Sequence, residues 1–112
     1  MLPQKHKLKK EDFVGFQRWK SLQSPHLTLR TKEAPQGKPS KFSFVVSKKV
    51  SKKSAARNKL KRLGYRAAGE ALKKTNAAAF CVFLLRSADA EHLSYEKMRE
   101  EVFFLLKKAG VL

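Results

Sequence analysis

Between Ala34 and Gly69 the chain carries Lys38, Lys41, Lys48, Lys49, Lys52, Lys53, Arg57, Lys59, Lys61, Arg62 and Arg66 without one Asp or Glu. Residues of this type at this density neutralise phosphates, and a polyanion belongs on them. Side chains able to break a bond are scarce by comparison. His6, His26 and His92 have neither HExxH spacing nor a neighbouring Cys pair and read as ordinary surface histidines. Glu11, Asp12, Glu33, Asp89, Glu91, Glu96, Glu100 and Glu101 fall mostly on the predicted terminal helices, where dipole or solvation roles explain them, and Glu70 closes the basic stretch. A two-metal nuclease needs converging carboxylates, and the cationic centre has none to offer. There is no GxxxxGK[ST] loop and no nucleophilic Ser or Cys pattern. The chain is poorly equipped to catalyse a reaction alone, and neither a catalytic residue nor a protein-borne metal ligand is assigned.

The cations need an element to hold them. At about 100° per residue on an α-helix, Arg57, Lys61, Tyr65, Asn58, Arg62 and Arg66 share one arc of roughly 180°. Leu63, Ala56, Ala67, Leu60, Ala71 and Gly64 fill the other, so one face docks and the other presents charge. The bland alternative is a solvated surface helix. Such helices usually interleave both signs to limit self-repulsion, whereas this one has no acid before Glu70. Ser54 is the predicted N-cap, which sets the first cations near the helix's positive end, where phosphate is also favoured.

Composition bounds the answer independently. The 112 residues fit a single domain, and 42% apolar residues suffice for one modest core. Twenty-six Lys and Arg against nine Asp and Glu leave a net charge of +17. That is the balance of a nucleic-acid binder. A membrane surface is the competing polyanion, but it calls for a long amphipathic helix or a lipid anchor, and neither is evident. The N-terminal MLPQKHKLKK lacks the apolar segment of a secretory signal, and no apolar run approaches 18 residues. The single Cys81 sits in an apolar run and reads as a small buried residue of a cytoplasmic protein.

Taken in order, residues 1–8 read as a flexible basic arm. A short helix is predicted from Lys10 to about Lys20, with Phe13 and Phe16 on one face and Trp19 beside it, core by default. Leu27 to Thr31 alternates as a half-buried strand. A turn-rich connector with Pro35, Gly37 and Pro39 leads to a second strand, Phe42 to Ser47, expected to pair antiparallel with the first. After the basic helix, Thr75-Asn76 marks a stop. Ala77 to Leu85 is uninterruptedly apolar and predicts a strand buried on both faces at the sheet's centre. If it runs parallel to the Phe42 strand, the basic helix is the crossover of a βαβ unit. Ser94 caps a last helix, with Tyr95, Met98, Val102, Leu105 and Ala109 at helical spacing and Gly110 as its stop. The fold class is α+β, a small mixed sheet with helices.

Val46-Ser47-Lys48-Lys49-Val50 followed after six residues by Arg57-Asn58-Lys59-Leu60-Lys61-Arg62-Leu63 resembles the signature of the bacterial ribonuclease P protein, an SKK strand end and an Arg-Asn-Arg helix. The resemblance covers nearly the whole chain, from Leu8-Lys9-Lys10 and Asp12-Phe13 to Leu93-Ser94-Tyr95-Glu96. Lys59 stands where Arg is usual and keeps the charge without the planar fork. Tyr65-Arg66 stand where Arg-Glu is common. The resemblance implies a left-handed βαβ crossover. It also implies a non-catalytic protein subunit whose partner RNA binds the Mg2+ and cuts the 5′ leader from precursor tRNA. Arg57, Asn58, Lys59, Lys61 and Arg62 would dock on that RNA, with Lys48, Lys49, Lys52, Lys53 and Arg66 adding contacts. Phe13, Phe16, Gln17 and Arg30 would meet the leader in a cleft between the sheet, the first helix and the basic helix. Gln17 stands where a second Phe is common and Arg30 where an aromatic residue often stands.

Two rivals use the same basic helix. A structural RNA-binding protein, such as a small ribosomal protein, would have no substrate cleft. A helix-turn-helix DNA binder needs a second helix across a tight turn, whereas β-like runs flank this helix, so DNA is not the expected partner.

Overall fold

The computed structural model describes residues 2–112. Four strands, β1 (Lys20–Gln23), β2 (Leu27–Glu33), β3 (Lys41–Val46) and β4 (Ala79–Leu85), and two helices, α1 (Ser54–Leu72) and α2 (Tyr95–Lys108), account for most of it. The strands form one mixed sheet in the order β1-β2-β4-β3.

β4 holds the interior position that its apolar run predicts, antiparallel to β2 and parallel to β3. The β3-α1-β4 segment is therefore a βαβ unit with the basic helix as its crossover. The expected β2–β3 pair does not form, because β4 inserts between them. β2 instead makes its hairpin with β1, Leu22 opposite Leu29. Strand alternation sorts the sheet's two faces. Leu27, Leu29, Phe42, Phe44, Val46, Cys81, Phe83 and Leu85 point to one side and form the main core with Leu60, Ala67, Ala68 and Ala71 of α1 and Met98, Val102, Leu105 and Leu106 of α2. Phe80 and Val82 point to the other side, under Trp19.

The helix predicted over Lys10–Lys20 is two 3-10 turns, Lys10–Phe13 and Phe16–Arg18. Gly15 between them has φ +70°, a left-handed value that interrupts any α-helix and suits glycine. The Asp12 carboxylate accepts from Lys9 N–H at 2.8 Å and pairs with Lys41 at 3.1 Å. Burial would raise its pKa, but these partners outweigh burial and hold it below the usual carboxylate range. The described part of the predicted flexible arm is docked: Leu2 is buried, His6 Nδ1–H donates to Ser40 O, and Leu8 N–H donates to Phe42 O at 3.0 Å. Met1 lies outside the described residues. The outer edge of β3 is thus partly covered, since Lys7 bridges Phe42 in parallel.

Ser94 caps α2 as expected, its hydroxyl accepting from Lys97 N–H at 3.2 Å. Gly110, at φ +81°, ends that helix, and Val111 N–H reaches back to Leu106 O. Two of the side chains expected to be ordinary surface groups are not. Glu101 is 3% exposed and accepts from Ser24 Oγ (2.5 Å), His26 N–H (2.8 Å) and His26 Nδ1–H (2.6 Å), tying α2 to the β1–β2 turn. Burial alone would raise its pKa, but these donors hold it below the ordinary carboxylate value.

Candidate nucleic-acid interface

The turn after β3 sets the first cations in place. Ser47 N–H donates to Leu85 O, its carbonyl accepts from Val50 N–H, and its hydroxyl accepts from Lys49 N–H at 2.9 Å. Val50 is 3% exposed and pins the turn to the core, so Lys48 and Lys49 on its outside stand in solvent. Ser51 is buried, and its hydroxyl accepts from Lys53 N–H. Arg57 reaches back from α1 to donate Nη1–H to Ser51 O at 2.9 Å, which stitches the turn to the helix. Lys53 rather than Ser54 occupies the N-cap position, with no side-chain cap; Ser54 is the first helical residue.

Along α1 the two arcs separate as the periodicity requires. Leu60, Gly64, Ala67, Ala68 and Ala71 are buried, while Asn58, Lys59, Arg62 and Arg66 are exposed and Arg57 and Lys61 half-buried. Small residues on the inner arc bring the helix close to the sheet: a Cβ on Gly64 would lie 2.6–2.7 Å from ring carbons of Phe44. Among the described residues none of Lys48, Lys49, Lys52, Lys53, Arg57, Lys59, Lys61, Arg62 and Arg66 forms an ion pair with a carboxylate. Glu70, the acid that closes the helix, is taken by Arg99 of α2, which holds it below the usual carboxylate range. Apart from the weaker pull of Glu70 on Arg66, the cationic arc is left without internal counter-charge.

A second surface lies on the opposite face of the sheet. Phe13 stacks parallel to Trp19 with centroids 6.0 Å apart, and Phe16 meets both edge-on at 5.5 and 5.1 Å. Trp19 rests on Phe80 of β4. The Arg30 guanidinium lies 4.5 Å over the Phe16 ring and donates to Phe16 O at 2.7 Å. The structure therefore brings Phe13, Phe16 and Arg30 together, with Gln17 exposed in the same turn as Phe16. It adds Lys32, over Trp19 and Phe80 at 5.3 and 5.6 Å, and Lys41, 5.7 Å from Phe80, which sequence reasoning did not place here. Alternation from Arg30 to Lys32 could have found the first. Lys41 needed the β3–β4 register, which sets it opposite Phe80. The basic helix does not wall this surface as expected, because Phe42, Phe44 and Val46 turn α1 to the sheet's other side.

A sequence model of the ribonuclease P family matches residues 2–110. The chain belongs to the ribonuclease P protein family. It is 36% identical over 118 residues to the ribonuclease P protein component of Microcystis aeruginosa, a match that covers 99% of this chain and 96% of that one. In structure it is similar to a mutant ribonuclease P protein of Staphylococcus aureus, with a TM-score of 0.82 at 20% identity over 96% of this chain and 90% of that one. It is similar also to the ribonuclease P protein of Thermotoga maritima, with a TM-score of 0.77 at 23% identity over 91% and 96% of the two chains. These likenesses bear out the α+β fold.

The cations of the β3–α1 turn and of the outer arc of α1 thus share one side of the molecule. Among the described residues no group of three or more His, Cys, Asp or Glu side chains is placed to hold a metal ion, and no helix is long and apolar enough to cross a membrane.

Proposed function

We propose that the outer arc of α1 and the β3–α1 turn dock on the RNA subunit of ribonuclease P, while the aromatic face beyond the sheet receives the single-stranded 5′ leader of precursor tRNA. As a member of its family the chain is a protein subunit of a ribonucleoprotein endoribonuclease of tRNA 5′ maturation. The observation that carries the division of labour is the separation of the two surfaces by the sheet, one purely cationic, the other aromatic with cations over the rings.

Each surface suits its ligand for a different reason. Unpaired Lys and Arg on a rigid helix neutralise the phosphates of structured RNA and release counterions. Half-buried aromatic rings and a guanidinium plane stack on unpaired bases without reading their identity. On this reading Lys48, Lys49, Lys52, Lys53, Arg57, Asn58, Lys59, Lys61, Arg62 and Arg66 contact the RNA subunit, and Phe13, Phe16, Gln17 and Arg30, with Lys32 and Lys41, contact the leader. The Mg2+ of hydrolysis is bound mainly by the RNA, since this surface offers cations where carboxylates would be needed. The protein's part is to lower the repulsion between catalytic RNA and substrate, and so the Mg2+ required.

The test is single-turnover cleavage of a 5′-extended precursor tRNA by a bacterial ribonuclease P RNA at low Mg2+, with and without the protein. Cleavage at the mature 5′ end that needs both components is the expected result. Binding of several partner RNAs with no change in cleavage at any Mg2+ concentration would overturn it.

A further inference from the structure

Where the N-terminal segment passes the edge of β3, it closes a cavity of about 300 Å³ against the basic helix, lined by Lys7, Arg62, Tyr65 and Arg66. We propose that this cavity is a binding site for one unpaired nucleotide of an RNA partner, its base on the Tyr65 ring and its phosphate held by Lys7, Arg62 and Arg66. The site extends the RNA-facing reading of α1 and rests on it only for the identity of the RNA.

Three features carry the assignment. The first is construction. The Lys7 backbone is fixed by its bridge to Phe42, and Tyr65 by an edge-on contact with Phe44 (centroids 5.1 Å) and by accepting from Phe44 N–H at 3.4 Å. Arg66 is steadied by its guanidinium lying 4.0 Å from the Tyr95 ring centroid. The second is charge. Three cations line one small cavity, and among the described residues none of them forms an ion pair. Docking a basic N-terminal segment against a basic helix is unfavourable without an anion between them. The third is shape. The cavity is at the low end of ligand-site volumes, fit for a single small group. It joins one aromatic ring to three cationic side chains, the residue types that a base with its phosphate requires. The Lys7 ammonium now lies 5.2 Å from the Tyr65 ring centroid. An entering base takes its place over the ring, and the ammonium swings to the phosphate.

The test titrates the intact protein with AMP and, separately, with ribose 5-phosphate, following backbone amide resonances by NMR at low salt. The two probes differ only by the base. AMP should shift Lys7, Tyr65 and Arg66 at a concentration at least about fivefold lower than ribose 5-phosphate. Tyr65→Leu should erase that difference, Tyr65→Phe should keep it, and Lys7→Ala should weaken both probes. Equal binding of the two would make the cavity an anion site only and overturn the proposal, as would shifts spread over the surface without a focus on these residues. Affinity for the ribonuclease P RNA is measured alongside. If wild type binds that RNA steeply with salt while AMP ignores the cavity, the nucleotide site fails and the docking surface stands. AMP bound at the cavity, with no preference for that RNA over duplex of equal length, keeps the site and refutes the partner.

Discussion

Replacing Gly64 by Ala tests how closely the basic helix is seated on the sheet. Two effects oppose each other. Ala in place of Gly in a helix interior favours the helix by about 1 kcal/mol. Against this, the new Cβ would lie 2.6–2.7 Å from Phe44 ring carbons, far inside contact distance. Phe44 has little room to yield, being 3% exposed, stacked on Phe83 at 4.8 Å and edge-on to Tyr65. Overpacking of this kind costs about 1–3 kcal/mol, and with the ring held on both sides the upper end applies. The net expectation is a loss of about 2 kcal/mol, or about 10 °C in Tm for a domain near this size. Gly69→Ala is the internal control. It lies in the same helix, its added Cβ meets nothing within 4 Å, and it should raise stability by up to about 1 kcal/mol. Thermal unfolding followed by circular dichroism reads both. Equal shifts of the same sign would refute the close-seating account. A Phe44→Leu change that leaves the penalty of Gly64→Ala intact would do the same, because the smaller side chain should relieve the clash.

Glu101→Gln should cost about 2–3 kcal/mol near neutral pH by weakening three charge-assisted bonds to Ser24 and His26. Because Glu101 has a depressed folded-state pKa, its contribution is present above the unfolded value and fades as pH falls through the folded one. The acid limb of a pH–stability curve should therefore flatten in the variant, and parallel limbs would contradict the assignment. The Cys81 thiol is fully buried, and burial pushes its pKa up to about 12 against a smaller opposing effect of the Thr31 hydroxyl. A disulfide reagent at pH 8 should label it only at the rate at which the protein opens; immediate labelling of the native protein would show the core to be looser than described. Arg57→Ala should weaken binding to the ribonuclease P RNA and flatten the log affinity–log salt slope by about one unit, and an unchanged slope would remove Arg57 from the phosphate contacts. Phe16→Ala should weaken holoenzyme binding of precursor tRNA relative to mature tRNA by about fivefold or more, and equal loss for both would place the ring outside the leader path.

The elements that could be read from sequence are those whose signal is local. The apolar run of β4, the two arcs of α1 and the Ser94 cap of α2 each follow from residues within one element. What escaped is contact between residues far apart in the chain. A turn-rich connector between Thr31 and Phe42 suggests an antiparallel pair, and only the later arrival of β4 shows why none forms. Leu2 and Lys7 carry no periodicity, yet the main core buries the first and the edge of β3 holds the second. Phe13 and Phe16 at i and i+3 fit an α-helix as well as the two 3-10 turns that Gly15 divides. Glu101 and His26 are 75 positions apart, and nothing near either announces that a buried carboxylate meets a half-buried imidazole. The cationic arc of α1 was therefore legible almost residue by residue. The aromatic face was only half legible, because Lys32 and Lys41 join it through strand alternation and register.

The sheet order also governs how the protein can be made. The strand that completes the sheet is synthesised last and belongs in the middle, so β2 and β3 wait as unmatched edges until Leu85 has emerged from the ribosome. Until then a nascent chain displays its apolar strand faces beside a helix with no acid in its first turn. No smaller unit spanning both β2 and β3 can close on itself, which makes acquisition of the native state a single event that waits for β4. Truncations before Leu85 should accumulate as aggregates or as chaperone-bound and RNA-bound chains, whereas losses confined to the last turn of α2 should leave the sheet able to assemble.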